Sequence, residues 1–237
     1  MVQYKDGNIY LKMVYYGMAG SGKTTILETL YKLTKDGKKE IVPASELQKI
    51  DRASGATLYF DRGIFQSTKK KKVYYRVYTV AGQKGFGSLR TKVFDKLDAE
   101  TDAVIFVVDS QVKYLEDNIE FLLELKNITK GRLITEIPFI VMLNKQDLKE
   151  VINRENFIQI LKQEKLWYEL PDELNMWNPL IYRTCALFDQ EKDIYRSFYE
   201  IARRTGLYYI YGDGRAPIDN KISDNSILTK PLEKKKK

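Results

Sequence analysis

Gly17-Met18-Ala19-Gly20-Ser21-Gly22-Lys23-Thr24 spells G-x-x-x-x-G-K-[ST], a spacing of residue types suited to cradling phosphate. The glycines let the chain curl so that successive backbone N–H groups point inward at an anion. A helix beginning near Lys23 adds the positive end of its dipole. Gly17, Ala19, Gly20, Ser21, Gly22, Lys23, Thr24 and Thr25 are the expected phosphate-binding residues. Lys23 is expected to reach the β- and γ-phosphates as a point charge, and the Thr24 hydroxyl to ligate a magnesium ion that bridges them.

The loop by itself says nucleoside triphosphate without naming the base. Asn144-Lys145-Gln146-Asp147 names it. The Asp147 carboxylate accepts paired hydrogen bonds from the ring N–H and the exocyclic amine of guanine, and adenine offers no such pair on that edge. Asn144 is placed to bond the base and the neighbouring loop, while the aliphatic stem of Lys145 covers the ring face with its charge left in water. Between these anchors stands Thr79-Val80-Ala81-Gly82-Gln83. There the Gly82 N–H is expected to meet a γ-oxygen and the Gln83 amide to orient an attacking water, which makes Gln83, Lys23 and Gly82 the catalytic candidates.

These residues need strands to hold them at one edge. Ile9 to Tyr16 reads as a buried strand before the phosphate loop, and Ile26, Leu27, Leu30 and Leu33 mark one face of the helix after it. Val73 to Tyr78 is a strand before Thr79, Phe139 to Leu143 one before Asn144, and Leu180 to Thr184 another near the end. Helices covering the sheet are expected from about Tyr114 to Lys126 and near Asp193 to Ala202. Tyr208 to Tyr211, after Gly206, are expected to pack on the domain. The fold class is α/β, of the P-loop NTPase type: a mostly parallel central sheet, helices on both faces, and one antiparallel edge strand. One domain is expected over residues 1–211, followed at 212–237 by a polar, lysine-ended, flexible tail.

Over roughly residues 9 to 205 the chain resembles the Ras-like small GTPases. The strings Val14-Tyr15-Tyr16-Gly17, Tyr78 to Gln83 and Val107-Val108-Asp109-Ser110-Gln111 look most like the MglA-type polarity GTPases of prokaryotes, with Arf-like and Rag-like GTPases next. The resemblance implies that Thr57 is the switch-one threonine, whose hydroxyl joins the magnesium shell when a γ-phosphate is present and so reports nucleotide state. It implies that Cys185-Ala186-Leu187 is a base-contacting loop whose backbone N–H meets the guanine carbonyl oxygen. GTP and GDP become the expected ligands, with Mg2+ as cofactor held by Thr24 and Thr57. A roadblock-type regulator or GTPase-activating protein, and effector proteins, become the expected partners.

Two departures bear on rate. Thr79 stands where Ras proper has an aspartate that holds magnesium through water, so metal binding is expected to lean on Thr24, Thr57 and the phosphates. Ala56 stands where MglA-type proteins have an arginine, with Arg52 further upstream. Slow intrinsic hydrolysis follows, because an arginine finger contributes about 10³ to 10⁵ in rate. A pseudo-GTPase that binds guanine nucleotide with little hydrolysis is the alternative; a P-loop kinase is disfavoured by Asn144 to Asp147.

Composition narrows the classes further. The 237 residues contain no histidine, so imidazole bases and histidine metal sites are excluded, and the single Cys185 has no partner for an internal disulfide. No run approaches the roughly 18 apolar residues of a membrane span and no signal-peptide pattern opens the chain, which predicts a cytoplasmic protein, peripheral at a membrane at most. The net charge of +8 gathers at Lys69 to Lys72, placed at a hairpin tip, and at Lys234 to Lys237. Weak contact with an anionic membrane is the expectation there, at about 1 kcal/mol per lysine, and nucleic acid is not an expected partner. Val2 gives no myristoylation glycine. Asp147→Asn tests the base assignment: it exchanges one acceptor oxygen for a donor and should move preference from guanine toward xanthine nucleotides, and unchanged selectivity in competition binding would reject the role.

Overall fold

Alternation along the central strands sends side chains to two apolar layers, one on each face of a single sheet. The computed structural model describes residues 3–50, 60–95 and 100–218. Strand β1 (Gln3–Lys5) turns into β2 (Asn8–Tyr16), which feeds helix α1 (Lys23–Thr34). Short strands β3 (Ile41–Pro43) and β4 (Gln48–Ile50) precede the hairpin of β5 (Phe60–Ser67) and β6 (Val73–Thr79). Then come α2 (Gly87–Asp95), β7 (Ala103–Asp109), α3 (Leu115–Ile128), β8 (Phe139–Asn144), α4 (Arg154–Gln163), β9 (Leu180–Arg183) and α5 (Ile194–Tyr211).

The sheet order is β3-β5-β6-β2-β7-β8-β9. Strands β6, β2, β7, β8 and β9 run parallel, as expected for α/β. The antiparallel side is built on β5, which pairs with β6 and carries β3 and β4, and β1 folds back antiparallel on β2. Because the central strands are covered on both faces, they read as continuous apolar runs. Val14, Tyr16, Val104, Phe106, Val141 and Leu143 face one layer, closed by Val93 and Phe94 of α2, Phe121 and Leu122 of α3, and Phe157 and Leu161 of α4. Met13, Tyr15, Ile105, Val107, Ile140 and Met142 face the other, closed by Ile26, Leu27 and Leu30 of α1 and Phe198 and Ile201 of α5.

Helix α5 runs on to Tyr211, past the expected stop near Ala202 and straight through Gly206. Tertiary packing overrides the glycine, since Leu207 and Tyr208 are buried and Tyr208 meets the Trp177 ring edge-on at 5.0 Å. Hydrogen bonds follow the chain to Pro217, with Ala216 N–H donating to Thr135 O (2.7 Å) and Trp177 Nε1 to Pro217 O (2.9 Å). The lysine run at 69–72 lies in the β5–β6 turn, where Lys69 pairs with Glu40 at 2.6 Å. Lys234 to Lys237 lie outside the described residues. No described helix is long and apolar enough to cross a membrane.

Parallel pairing brings the functional loops to one edge. Tyr15 is level with Thr79, Tyr16 with Phe106, Asp109 with Asn144, and Leu143 with Arg183. The chain leaves β2 for β6 on one side while β7 lies on the other, so the loop after β2 sits at the switch point where open sheets bind ligands. Asn118 of α3 secures this edge from below: its Oδ1 accepts from Asp109 N–H (3.0 Å), and its Nδ2 donates to Asp109 O (2.9 Å) and Tyr114 O (2.6 Å). Asn118 is fully buried. Asn118→Ala should destabilise the protein by about 2 to 4 kcal/mol, since unpaired buried backbone groups cost about 1 to 3 kcal/mol each. Urea unfolding with a loss under about 0.5 kcal/mol, the scale of a neutral surface change, would contradict this account.

Candidate functional site

The phosphate loop curls between the end of β2 and the first turn of α1, whose first hydrogen bond runs from Ile26 N–H to Gly22 O at 2.8 Å. Gly22 has φ +98°, and a Cβ there would stand 2.3 Å from Asn144 Nδ2. Only glycine combines that backbone with that approach. Asn144 uses the closeness: its Nδ2 donates to Ser21 O at 2.8 Å, tying the loop after β8 to the phosphate loop. Lys23 is buried, and its Nζ donates to Gly17 O (2.8 Å) and Met18 O (2.7 Å). Thr24 Oγ1 donates to Asp61 Oδ2 at 2.5 Å.

The loop after β6 lies on the same cradle. Gly82 O accepts from Ala19 N–H at 2.7 Å, and a Cβ on Gly82 would meet Ala19 N at 2.3 Å, so this glycine is required by contact. Gln83 is exposed, and its carbonyl is anchored. The anchor is Arg90 of α2, whose Nη1 donates to Ala81 O (2.9 Å) and Gln83 O (2.7 Å). The same guanidinium forks onto Glu124 of α3 (2.9 and 2.7 Å) and lies 4.8 Å over the Phe121 ring. Arg90 is 2% exposed. Sequence reasoning missed it, because an arginine in the mixed stretch Leu89-Arg90-Thr91-Lys92-Val93-Phe94 reads as solvent-facing and its partner Glu124 lies far along the chain.

On the base side, Asp109 at the end of β7 holds Lys145 Nζ at 2.6 Å and the Gln111 backbone N–H at 3.2 Å. Lys145 has a positive φ of 65°, which turns the motif out of the sheet. Gln146 N–H donates to Thr184 O (3.0 Å), and Thr184 Oγ1 to Asn144 Oδ1 (3.3 Å), so the loops after β8 and β9 are stitched together. Asp147 is exposed. Cys185 is buried, and its thiol is pushed up by burial and further by the neighbouring Asp147 carboxylate. Ala186 O accepts from Thr29 Oγ1 of α1 at 2.6 Å. The structure thus brings Gly17 to Thr25, Gly82, Gln83, Asn144 to Asp147, Cys185 and Ala186 to one edge. Thr57, with Arg52 and Ala56, lies outside the described residues.

The sequence profile of the ADP-ribosylation factor family matches residues 2–197. The chain belongs to this family. It is 28% identical over 172 residues to the mutual gliding-motility protein MglA of Myxococcus xanthus, covering 70% of this chain and 82% of that one. It is also 28% identical over 156 residues to ADP-ribosylation factor-like protein 2 of Dictyostelium discoideum, covering 66% and 71%. The site is accordingly that of a Ras-like small GTPase, a GTP-binding and GTP-hydrolysing protein, whose family uses guanine nucleotides with magnesium. The residues present suit that ion. Thr24 offers a hydroxyl oxygen, a hard ligand, and its proton is already directed to Asp61. Among the described residues no group of three or more carboxylate or thiol side chains could hold a metal alone, so phosphate and water would fill most of a magnesium shell here.

Charge at the heart of this GTPase site is unusual. Burial, and then the nearby Arg90 cation, push the Lys23 ammonium down from 10.5 to about 7. An unfolded chain would bind more protons than the folded one between these values. Lys23 therefore weakens the fold fully below pH 7 and progressively less as pH rises toward 10.5. Phosphates restore the charged form, so nucleotide binding above pH 7 must take up a proton. Calorimetric titration of nucleotide-free protein with GDP and magnesium at pH 8, in two buffers of different ionisation enthalpy, should show uptake of about one proton per site, falling toward zero at pH 6. Equal heats in both buffers at pH 8 would reject it.

Proposed function

We propose that the protein is a slowly hydrolysing GTP switch whose loop at Thr79 to Gln83, together with the segment around Thr57, orders around the triphosphate and presents a nucleotide-dependent surface to partner proteins. One observation carries the reading: the Gly82 carbonyl bonds the phosphate loop directly at Ala19, so a ligand in the cradle and the loop that carries Gln83 cannot move independently. Gly17, Ala19, Gly20, Ser21, Gly22, Lys23, Thr24 and Thr25, with Gly82, bind phosphate in this reading. Asn144, Lys145, Asp147, Cys185 and Ala186 bind the base, Thr57 joins Thr24 at the metal, and Gln83 orients water.

Slow turnover is supported by the state of Arg90. It is the arginine whose charge reaches Lys23, yet its Nε, Nη1 and Nη2 are all engaged with Glu124 and with loop carbonyls, so it acts as a brace for Gln83 and not as a finger on phosphate. A partner that supplies an arginine, or that completes the water-positioning geometry, would then set the rate in use. The likeness to MglA supports a roadblock-type regulator in that role, and effectors would read the switch surface. The distribution of lysines supports weak contact with an anionic membrane.

The test is the identity of nucleotide released from purified protein, followed by GTP turnover. Guanine nucleotide is expected, with intrinsic turnover below about 10⁻² per second, the scale of a protein carrying its arginine in cis. Gln83→Ala should lower it by on the order of 10- to 100-fold, the scale of losing one positioning contact. Adenine nucleotide would sink the base assignment, and equal turnover would remove Gln83 from catalysis.

A further inference from the structure

Thr24 and Thr79 both point to a residue that neither loop motif contains. Asp61 lies at the start of β5, where Arg62 is level with Tyr78 of β6, so the antiparallel register sets Asp61 beside Thr79. The two are joined: Asp61 N–H donates to Thr79 Oγ1 at 2.9 Å, and Thr79 itself is buried. Held there, Asp61 Oδ2 accepts the proton of the Thr24 hydroxyl at 2.5 Å. A hydroxyl has one proton and two lone pairs, so directing the proton to a carboxylate leaves both lone pairs of Thr24 for a hard cation.

The electrostatics need such a cation. A carboxylate one hydrogen bond from the phosphate loop would face the negative oxygens of a bound nucleotide, and like charges at that range repel unless a cation stands between them. Asp109, the carboxylate on the base side, is bound by Lys145 and Gln111. The described side-chain bond of Asp61 is to Thr24. An acidic group in that position makes sense as part of the shell of a divalent ion.

We propose that Asp61 is the positioning carboxylate of the magnesium site: it orients the Thr24 oxygen toward the ion and adds negative charge to the shell, while Thr79 fixes its place by accepting its N–H. The inference rests on the guanine-nucleotide reading above. It replaces the expectation that the metal would lean on threonines and phosphates alone, because the carboxylate comes from the neighbouring strand.

The test uses the full chain loaded with a fluorescent methylanthraniloyl-GDP, whose release into excess GDP is followed at buffered free magnesium concentrations. For Asp61→Asn, which keeps size and an acceptor but removes charge, the half-saturating magnesium should rise by about 10- to 100-fold, the scale for losing a group that orients a metal ligand. Asp61→Ala should shift it as far or further, and release with magnesium chelated should stay close to the wild-type rate in both. An unchanged magnesium midpoint in both variants would overturn the proposal. So would faster release by one common factor with and without magnesium, which marks a purely structural role. Wild-type protein that fails to retain the guanine nucleotide at any magnesium concentration would reject the parent reading and this inference with it, an outcome distinct from failure of the variants alone.

Discussion

The bond from Asn144 Nδ2 to Ser21 O makes the phosphate cradle and the loop after β8, which we assign to the base, a single object. A nucleotide has a fixed length between its base and its phosphates, so a protein that reads both ends must hold two loops at a set distance. Here the distance is set without the ligand. Thr184 donates to Asn144 Oδ1, which fixes the amide so that its N–H faces Ser21, and Gly22 leaves room for that approach. The parallel register of β2, β7 and β8 carries both loops to the same edge, and Thr29 of α1 closes the circuit through Ala186. These are buried, mostly neutral hydrogen bonds, each costly to leave unmade, and they rigidify the base side of the site.

The switch side is held differently. Lys84 pairs with Asp117 and Glu120 of α3 at 2.8 and 2.6 Å, but all three side chains are substantially exposed. Exposed pairs contribute about 0 to 1 kcal/mol and weaken with salt. Arg90, in contrast, is buried and braced by Glu124, and it grips the carbonyls of Ala81 and Gln83. The outer turn at residues 84–86 is thus weakly fastened while its two ends are pinned, at Gly82 to the phosphate loop and at Arg90 to α3. Releasing such a turn costs little, because only exposed ion pairs fasten it.

Sequence order decided what was legible. The phosphate loop, Asn144 to Asp147 and the stretch through Gln83 are contiguous strings whose residue types state their chemistry, and the apolar runs before each located the strands. Residues that act across the fold were silent. Arg90 reaches Glu124 34 positions away, Asp109 reaches Lys145 over 36, Asp61 reaches Thr24 over 37, and Thr29 reaches Ala186 over 157. No local pattern announces such a pairing, because a lone charged residue reads the same whether it is solvated or clasped. The length of α5 was hidden for a related reason: Gly206 is a weak helix residue, and only burial of Leu207 and Tyr208 outweighs it.

Burying the Lys23 ammonium runs against ordinary electrostatics, and the Arg90 charge adds to the cost. Loss of surrounding water, and secondarily the Arg90 cation, make the ammonium lose its proton more easily than a free lysine. Backbone carbonyls of Gly17 and Met18 solvate it, yet they carry only partial charge. A di- or triphosphate supplies full negative charge at the same point and restores the charged form. Its binding therefore offsets a cost already built into the fold, while the Asp61 carboxylate, bonded to Thr24, suits a divalent cation at the same hydroxyl. An anion alone satisfies one half of the site; an anion with a divalent metal satisfies both.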